Sequence, residues 1–136
     1  MGIVYAELTL ENYADVMEAH KDRISVRDVR SVIVDAMVDT DAGTLLINEE
    51  VSRKLGLDVE KTREGTLADG SKQAYLQMNP VKIHWKNRDM VCQPIMVPVA
   101  DEILLGAIPL QEMDLIVDPK QEKLTGRHGD ILYVRI

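Results

Sequence analysis

Asp39 has the sequence context of a residue that could serve as an acid or a base. It follows a stretch rich in β-branched residues (29–38) and opens the polar loop DTDAG (39–43), after which apolar residues resume. A carboxylate that directly follows a buried strand can be held rigidly toward a cleft, which general acid/base chemistry requires. By itself, an Asp-Thr pair at a strand end is more often a turn or a cap. The surrounding segments must therefore distinguish the two interpretations.

Three segments of the chain resemble, in order, the bacterial and archaeal retropepsin-like aspartic proteases. They are VDAMVDTDAGTLLINEEVSRKLGL (34–57), ADGS (68–71) and ILLGAIPL (103–110). In that family a strand leads into Asp-Thr-Gly-Ala, a β-hairpin flap follows, and two hydrophobic residues then precede a Gly near the active-site loop. The order and spacing of three elements are more specific than the triplet alone. The resemblance spans about residues 29–124 and implies a mainly β, retropepsin-like half-barrel with one or two short helices, in which two protomers form one active site.

The resemblance also implies roles for the matching residues. Asp39 matches the catalytic aspartate, and a second copy would come from the partner chain of a homodimer because each protomer supplies one motif. Thr40 matches the residue whose hydroxyl braces the two loops across the dimer axis, and Ala42 completes the motif. The flap tip that closes over an extended peptide or protein substrate matches Ala68, Asp69, Gly70 and Ser71. The hydrophobic-hydrophobic-Gly element that supports the active-site loop matches Leu104, Leu105 and Gly106.

The chemistry that such a site implies is hydrolysis of a peptide bond. Two carboxylates about 3 Å apart cannot both ionise cheaply, so one of them keeps a proton. The charged carboxylate activates a water, and the protonated carboxylate polarises the scissile carbonyl. This reaction needs no metal and no cofactor, and we expect neither.

Asp41 stands where the family motif has Gly. A Gly at this position lets the backbone approach the water and the substrate closely, and it can adopt angles that cost other residues energy. In a dimer, Asp41 would also place four carboxylates around one axis instead of two, which raises the cost of ionising any of them. The substitution therefore bears on catalysis and not on the fold.

Two hypotheses from different classes follow. The first is an active homodimeric endopeptidase that hydrolyses extended peptides. The second is a catalytically impaired relative that binds an extended peptide under its flap or serves as a dimeric interaction module. A third and weaker hypothesis is a Ca²⁺ or Mg²⁺ site, since Asp39 and Asp41 from two chains could offer hard oxygen ligands.

Composition argues against several other classes of protein. At 136 residues, with 46% hydrophobic and 29% charged residues, the chain is predicted to form one globular domain over residues 1–136. A net charge of −7 and an aromatic content of 4% argue against nucleic acid as a partner. Residues 1–10 lack the basic start of a signal peptide, and no apolar stretch approaches a membrane span. We therefore expect no membrane partner and a cytoplasmic location. Cys92 is the single cysteine, so we expect no internal disulfide.

Hydrophobic patterns predict the short elements that would position these residues. Strands are predicted at 4–10, 29–38, 44–47, 103–105 and 115–117. The terminal run 131–136 is where the resemblance suggests a dimer sheet. Helices are predicted from Asn12 as an N-cap to residue 21, from Asn48 as an N-cap to Gly56, and briefly over 109–113. Many short strands with few helices favour a mainly β domain.

Turn signals and prolines make further predictions. Asp69-Gly70 indicates a type I′ hairpin turn, which needs positive φ at both central residues, and Lys86-Asn87 indicates a second turn. Pro94 and Pro98 cannot donate to a ladder, so their strand is predicted to be an edge or to carry bulges. Three histidines lack metal-ligand spacing and are predicted to be surface or turn residues: His20, His84 and His128.

Overall fold

Short β-strands dominate the part of the chain that the structure describes. The structure is a computed structural model, and it describes residues 2–66 and 69–129. The strands are β1 Tyr5–Asn12, β2 Ser31–Val38, β3 Leu45–Ile47, β4 Val59–Thr66, β5 Lys72–Met78, β6 Val81–Trp85, β7 Arg88–Cys92, β8 Ile95–Met96, β9 Ile103–Leu105, β10 Leu115–Asp118 and β11 Lys123–Gly126. The helices are α1 Tyr13–His20, α2 Glu49–Leu55 and α3 Ala107–Glu112, with a 3₁₀ turn at Val26–Asp28.

Nine of these strands form one curled sheet in the order β4-β5-β8-β3-β9-β2-β1-β6-β7, and β10 pairs with β11. The short strand β9 lies between β2, to which it is parallel, and β3, to which it is antiparallel. The predicted mainly β half-barrel is confirmed. The helices are few and short, as predicted, and the described residues form three of them.

Alternation along β1 places the core on one face of the sheet. Ala6, Leu8 and Leu10 are buried, while the residues between them face the other way. β1 pairs antiparallel with β2, and the Val38 N–H at the end of β2 donates to the Val4 carbonyl at 2.8 Å. A well-packed strand therefore fixes the point at which the chain leaves β2.

Local capping explains where the first two helices begin and end. The Asn12 side chain accepts the Asp15 N–H at the start of α1, and the Asn48 side chain accepts the Val51 N–H at the start of α2. Gly56 ends α2 with φ of 62°, a left-handed conformation that glycine adopts without strain. Both predicted N-caps and the predicted C-terminal glycine are confirmed.

The two predicted hairpin turns have different outcomes. Lys86, with φ of 49°, and Asn87 join β6 directly to β7, as predicted. Asp69-Gly70 does not form a two-residue type I′ turn, because β4 ends at Thr66 and β5 begins at Lys72. Of the two residues only Gly70 has a positive φ, at 84°. The longer connection removes the need for a left-handed residue at Asp69.

The prediction of an edge or bulged strand at the prolines is also wrong. β8 contains only Ile95 and Met96, and it lies inside the sheet between β5 and β3. Pro94 and Pro98 flank this strand instead of interrupting it, so neither removes a donor from the ladder. The Pro94 carbonyl accepts the Met78 N–H at 3.0 Å.

A buried arginine, which the sequence did not indicate, ties β7 to the turn after α3. Arg88 is 2% exposed, and its guanidinium donates to the carbonyls of Met113 and Asp114 at 3.0 and 2.6 Å. A hydrogen bond from a charged group contributes about 1.5 to 3 kcal/mol. The arginine thus fixes the C-terminal end of α3, a helix whose other end contacts the Asp39 loop.

The remaining predictions of the sequence are met in part. Asp114 lies in a turn with φ of 56°, and the Asp118 side chain accepts the N–H groups of the turn that follows it. The pairing of β10 with a strand at β11 was not predicted. The predicted terminal strand, 131–136, lies outside the described residues. In residues 2–66 and 69–129, no helix is both long and apolar enough to cross a membrane.

Candidate active site

The loop that carries Asp39 is fixed at both ends by backbone hydrogen bonds. At its start the Asp39 N–H donates to the Leu105 carbonyl at 3.0 Å, which joins the loop to the end of β9. At its end the Ala107 N–H donates to the Ala42 carbonyl at 2.8 Å, and the Ile108 N–H donates to the Gly43 carbonyl at 3.0 Å. The first residues of α3 therefore hold the far side of the loop.

Gly106 lets the support element approach the loop. Its φ of −92° is accessible to any residue, so conformation alone does not require glycine. A Cβ atom at this position would lie 2.6 Å from the Ala42 carbonyl oxygen, and 2.5 and 2.7 Å from the backbone oxygen and nitrogen of Thr44. Backbone atoms cannot yield as a flexible side chain can, so a side chain here would push the loop away from β9.

The carboxylate of Asp39 is oriented by its own loop. Asp39 is half-buried, and its Oδ1 accepts the Asp41 N–H at 3.0 Å. The Ala42 N–H donates to the Asp39 carbonyl at 3.1 Å and closes a tight turn. Thr40 and Asp41 are exposed at the outer side of this turn. An oriented, half-buried carboxylate is suited to act as a base toward a bound water.

Asp41 does not strain the loop. The glycine of the family motif suggests that this position needs backbone angles that only glycine adopts without cost, and it does not need them. The described non-glycine residues with positive φ are Asp22, Lys86, Asp114 and Glu122. Asp41 is not among them, and its N–H makes a bond to Asp39 that any residue except proline could make. The side chain and its charge are therefore what distinguish Asp41 from a glycine.

A cavity of about 510 Å³ lies beside Asp39. Besides the loop residues 39–41, it is lined by residues 2–4 at the start of the chain, by Met37 and Val38 of β2, and by Val117 of β10. Sequence reasoning missed this contribution of residues 2–4. The apolar–polar alternation that predicted β1 begins only at residue 4. It therefore did not indicate that residues 2–4 lie near the Asp39 loop.

The β4–β5 hairpin carries the segment that matches the flap tip. In its turn the Asp69 carboxylate accepts both the N–H of Ser71, at 2.9 Å, and the hydroxyl of Ser71, at 2.6 Å. These two bonds hold the pKa of Asp69 below its usual value. Gly70 is exposed next to them, and Ala68 lies outside the described residues.

An apolar groove of about 210 Å³ joins this hairpin to the centre of the sheet. Leu46 of β3 and Ile95 of β8 form one side, and Gly65 and Tyr75 of the hairpin form the other. The structure thus brings the Asp39 loop and Leu104, Leu105 and Gly106 together. No described hydrogen bond or ion pair joins the hairpin turn to the loop. The groove residues were missed because they are ordinary strand residues in the sequence.

Other candidate groups lie elsewhere. His84 pairs with Glu11, and His128 Nδ1 lies 2.7 Å from an Asp114 carboxylate oxygen. Within residues 2–66 and 69–129, no group of three His, Cys, Asp or Glu side chains could hold a metal ion. Burial raises the pKa of Cys92 to about 12, so its thiol is a poor nucleophile.

The structure thus places a half-buried aspartate in a loop between β2 and β3, with β9 inserted between those two strands. A family model described as aspartyl protease matches residues 24–122. The match covers most of the chain, and this protein therefore belongs to the aspartyl protease family. No curated protein sequence matches it.

The fold is similar to that of a solved retroviral protease-like domain. The crystal structure of the retroviral protease-like domain of Ddi1 from Leishmania major superposes with a TM-score of 0.57 at 15% sequence identity, covering 99% of this chain and 96% of that chain. The crystal structure of a retropepsin-like aspartic protease from Rickettsia conorii gives a TM-score of 0.48 at 19% identity, covering 84% of this chain and 74% of that chain. The retropepsin-like fold predicted from the sequence is confirmed.

Proposed function

We propose that this protein is a homodimeric aspartic endopeptidase in which Asp39 of each protomer supplies one carboxylate of a catalytic dyad. The observation that carries the proposal is the Asp39 carboxylate itself, half-buried and oriented by the Asp41 N–H in a loop held by β9 and α3. Membership of the aspartyl protease family supports an activity of this type. A single chain carries one such loop, so the dyad requires a second copy.

The proposed reaction needs only the two carboxylates and a water. When two such groups share a site, one remains protonated because like charges at short distance repel. The ionised Asp39 removes a proton from the water, which attacks the scissile carbonyl, and the protonated Asp39 donates a hydrogen bond to the carbonyl oxygen. The proton taken from the water then passes to the leaving nitrogen. No metal or cofactor enters this proposal.

The proposed substrate is an extended peptide or protein segment. It would lie between the Asp39 loops and the β4–β5 hairpin, which we propose acts as the flap. The groove beside Leu46 and Tyr75 is mostly apolar and fits an apolar side chain of that segment. The single cysteine is half-buried and free, which is compatible with a reducing compartment, and we propose the cytoplasm as the location.

We expect the protein to be a dimer in solution. Asp39 supplies half a dyad, so a second chain has to supply the other carboxylate. Sedimentation velocity at micromolar concentration should give a species of about twice the mass of the 15.3 kDa chain. A protein that sediments as a monomer at 100 µM and still cleaves peptides would contradict the dyad.

We expect Asp41→Gly to raise the cleavage of uncharged peptides. The variant removes one negative charge per protomer from the site and opens access to the water, while the N–H that orients Asp39 remains. In a mixed peptide library, cleavage of the members without Lys or Arg should rise several-fold. The rate is measured between about pH 4 and 7, the range in which a carboxylate pair is partly protonated.

The Asp41→Gly comparison also separates the two proposed functions. Cleavage of the library by the native chain establishes an endopeptidase. Cleavage by the variant alone indicates a relative that Asp41 has silenced. If both proteins are well-folded dimers and neither cleaves any peptide, the binding-module hypothesis is favoured.

A further inference from the structure

Asp41 presents an unpaired carboxylate at the candidate active site. The side chain is exposed, and among residues 2–66 and 69–129 it has no hydrogen-bond or ion-pair partner. Its backbone N–H is already bonded to Asp39 Oδ1 at 3.0 Å, so the residue is held two positions from the candidate catalytic group. The backbone of Asp41 is therefore held beside Asp39, and its carboxylate remains available to a ligand.

The described side chains that line the cavity beside Asp41 do not neutralise this charge. The cavity of about 510 Å³ that Asp39 and Asp41 share is lined otherwise by glycine, threonine and aliphatic or thioether side chains. No Lys, Arg or His is among the described residues that line it. The whole chain carries a net charge of −7, which adds to the negative potential at this site. A cationic group that enters the cavity would find an uncompensated carboxylate.

We propose that Asp41 is a specificity-determining residue that selects peptide substrates with a cationic side chain, Lys or Arg, near the scissile bond. This inference rests on the proposed function, because it assumes that an extended peptide lies beside Asp39. In a dimer the site contains two copies of Asp41, so a cation on either side of the scissile bond meets one of them. The same carboxylate that repels the dyad then stabilises the bound substrate.

Arg127 suggests a different use of the same charge. It is exposed and lines a neighbouring cavity of about 440 Å³ together with Thr40. In a dimer, Arg127 of a second copy could pair with Asp41 and neutralise it. Such a pair would make Asp41 a residue of the dimer interface, and its removal would weaken the dimer without changing which peptides bind.

The test measures binding separately from cleavage. Fluorescence anisotropy with the Asp39→Asn protein should show that a labelled peptide with one Lys binds about fivefold more tightly than the same peptide with norleucine, as one favourable exposed ion pair allows. The preference should vanish in 1 M NaCl, where the Debye length falls to about 3 Å. It should also vanish in Asp39→Asn/Asp41→Asn and persist in Asp39→Asn/Glu112→Gln, which removes an exposed negative charge elsewhere.

Each outcome decides the inference. A Lys preference that depends on Asp41 supports it, even if the native protein cleaves neither peptide, in which case only the proposed peptidase activity fails. Equal binding of both peptides overturns the inference even if the native protein cleaves both. A weaker dimer in the Asp41→Asn background, with the Lys preference intact, also overturns it and assigns Asp41 to the interface. Absence of binding by either peptide overturns the inference together with the proposed substrate class.

Discussion

Asp39→Asn should lower the rate of peptide cleavage by about 10³-fold, because an amide cannot take the proton of the attacking water. The fold should survive, since the amide oxygen of Asn can still accept the Asp41 N–H that Asp39 Oδ1 accepts. The measurement is the rate of cleavage of the mixed peptide library between about pH 4 and 7, with the dimer confirmed by sedimentation.

Asp89→Asn is the matched control for this loss. Asp89 is exposed on β7 and is not among the residues of the Asp39 loop or its cavity. The control makes the same chemical change and should keep the native rate. Cleavage that persists in Asp39→Asn would show that another residue, or a contaminating protease, acts on the peptides.

Gly106→Ala should destabilise the protein by about 3 kcal/mol, at the upper end of the usual cost of overpacking. The added Cβ would meet the backbone of Ala42 and Thr44 at 2.5 to 2.7 Å, and neither can move without displacing the loop. The melting temperature should fall by about 10 °C for a domain of this size. Any peptidase activity should fall too, because the displaced loop carries Asp39.

Gly43→Ala provides a control from the same loop. Nothing lies within 4 Å of a Cβ atom at Gly43, and its φ is outside the left-handed region. The substitution should therefore leave the melting temperature unchanged or raise it slightly, since it restricts the unfolded chain. Equal melting temperatures for the two variants would contradict the close approach of Gly106 to the loop.

The sequence was a good guide wherever a local interaction determines the structure. Asn12, Asn48 and Gly56 cap helices through their own side chain or backbone, so their identity was enough to place the helix ends. The alternation of apolar and polar residues along β1 predicted which face of the strand is buried. This too is local, because successive side chains of a strand point to opposite faces. The family resemblance predicted that residues 104–106 support the loop at 39–42. The structure places the two segments in contact through a backbone hydrogen bond from Asp39 to Leu105.

The features that the sequence did not reveal depend on contacts between distant segments. Pro94 and Pro98 predicted an edge strand, because nothing local shows that β8 is only two residues long. The approach of residues 2–4 to Asp39 and the role of Arg88 as a buried donor depend on the assembled sheet. The Asp69-Gly70 signal was misleading because the length of the connection, and not the dipeptide, determines the turn.

The insertion of β9 between β2 and β3 has a consequence for biosynthesis. Asp39 is translated well before Leu105 and Ala107, whose backbone groups hold its loop. Bringing Leu105 back to Asp39 closes a long loop of chain, and no local contact offsets the entropy that this closure costs. A nascent polypeptide that still lacks β9 therefore has the Asp39 motif but no anchored loop, and synthesis itself delays the assembly of the site until β9 and the start of α3 have been made.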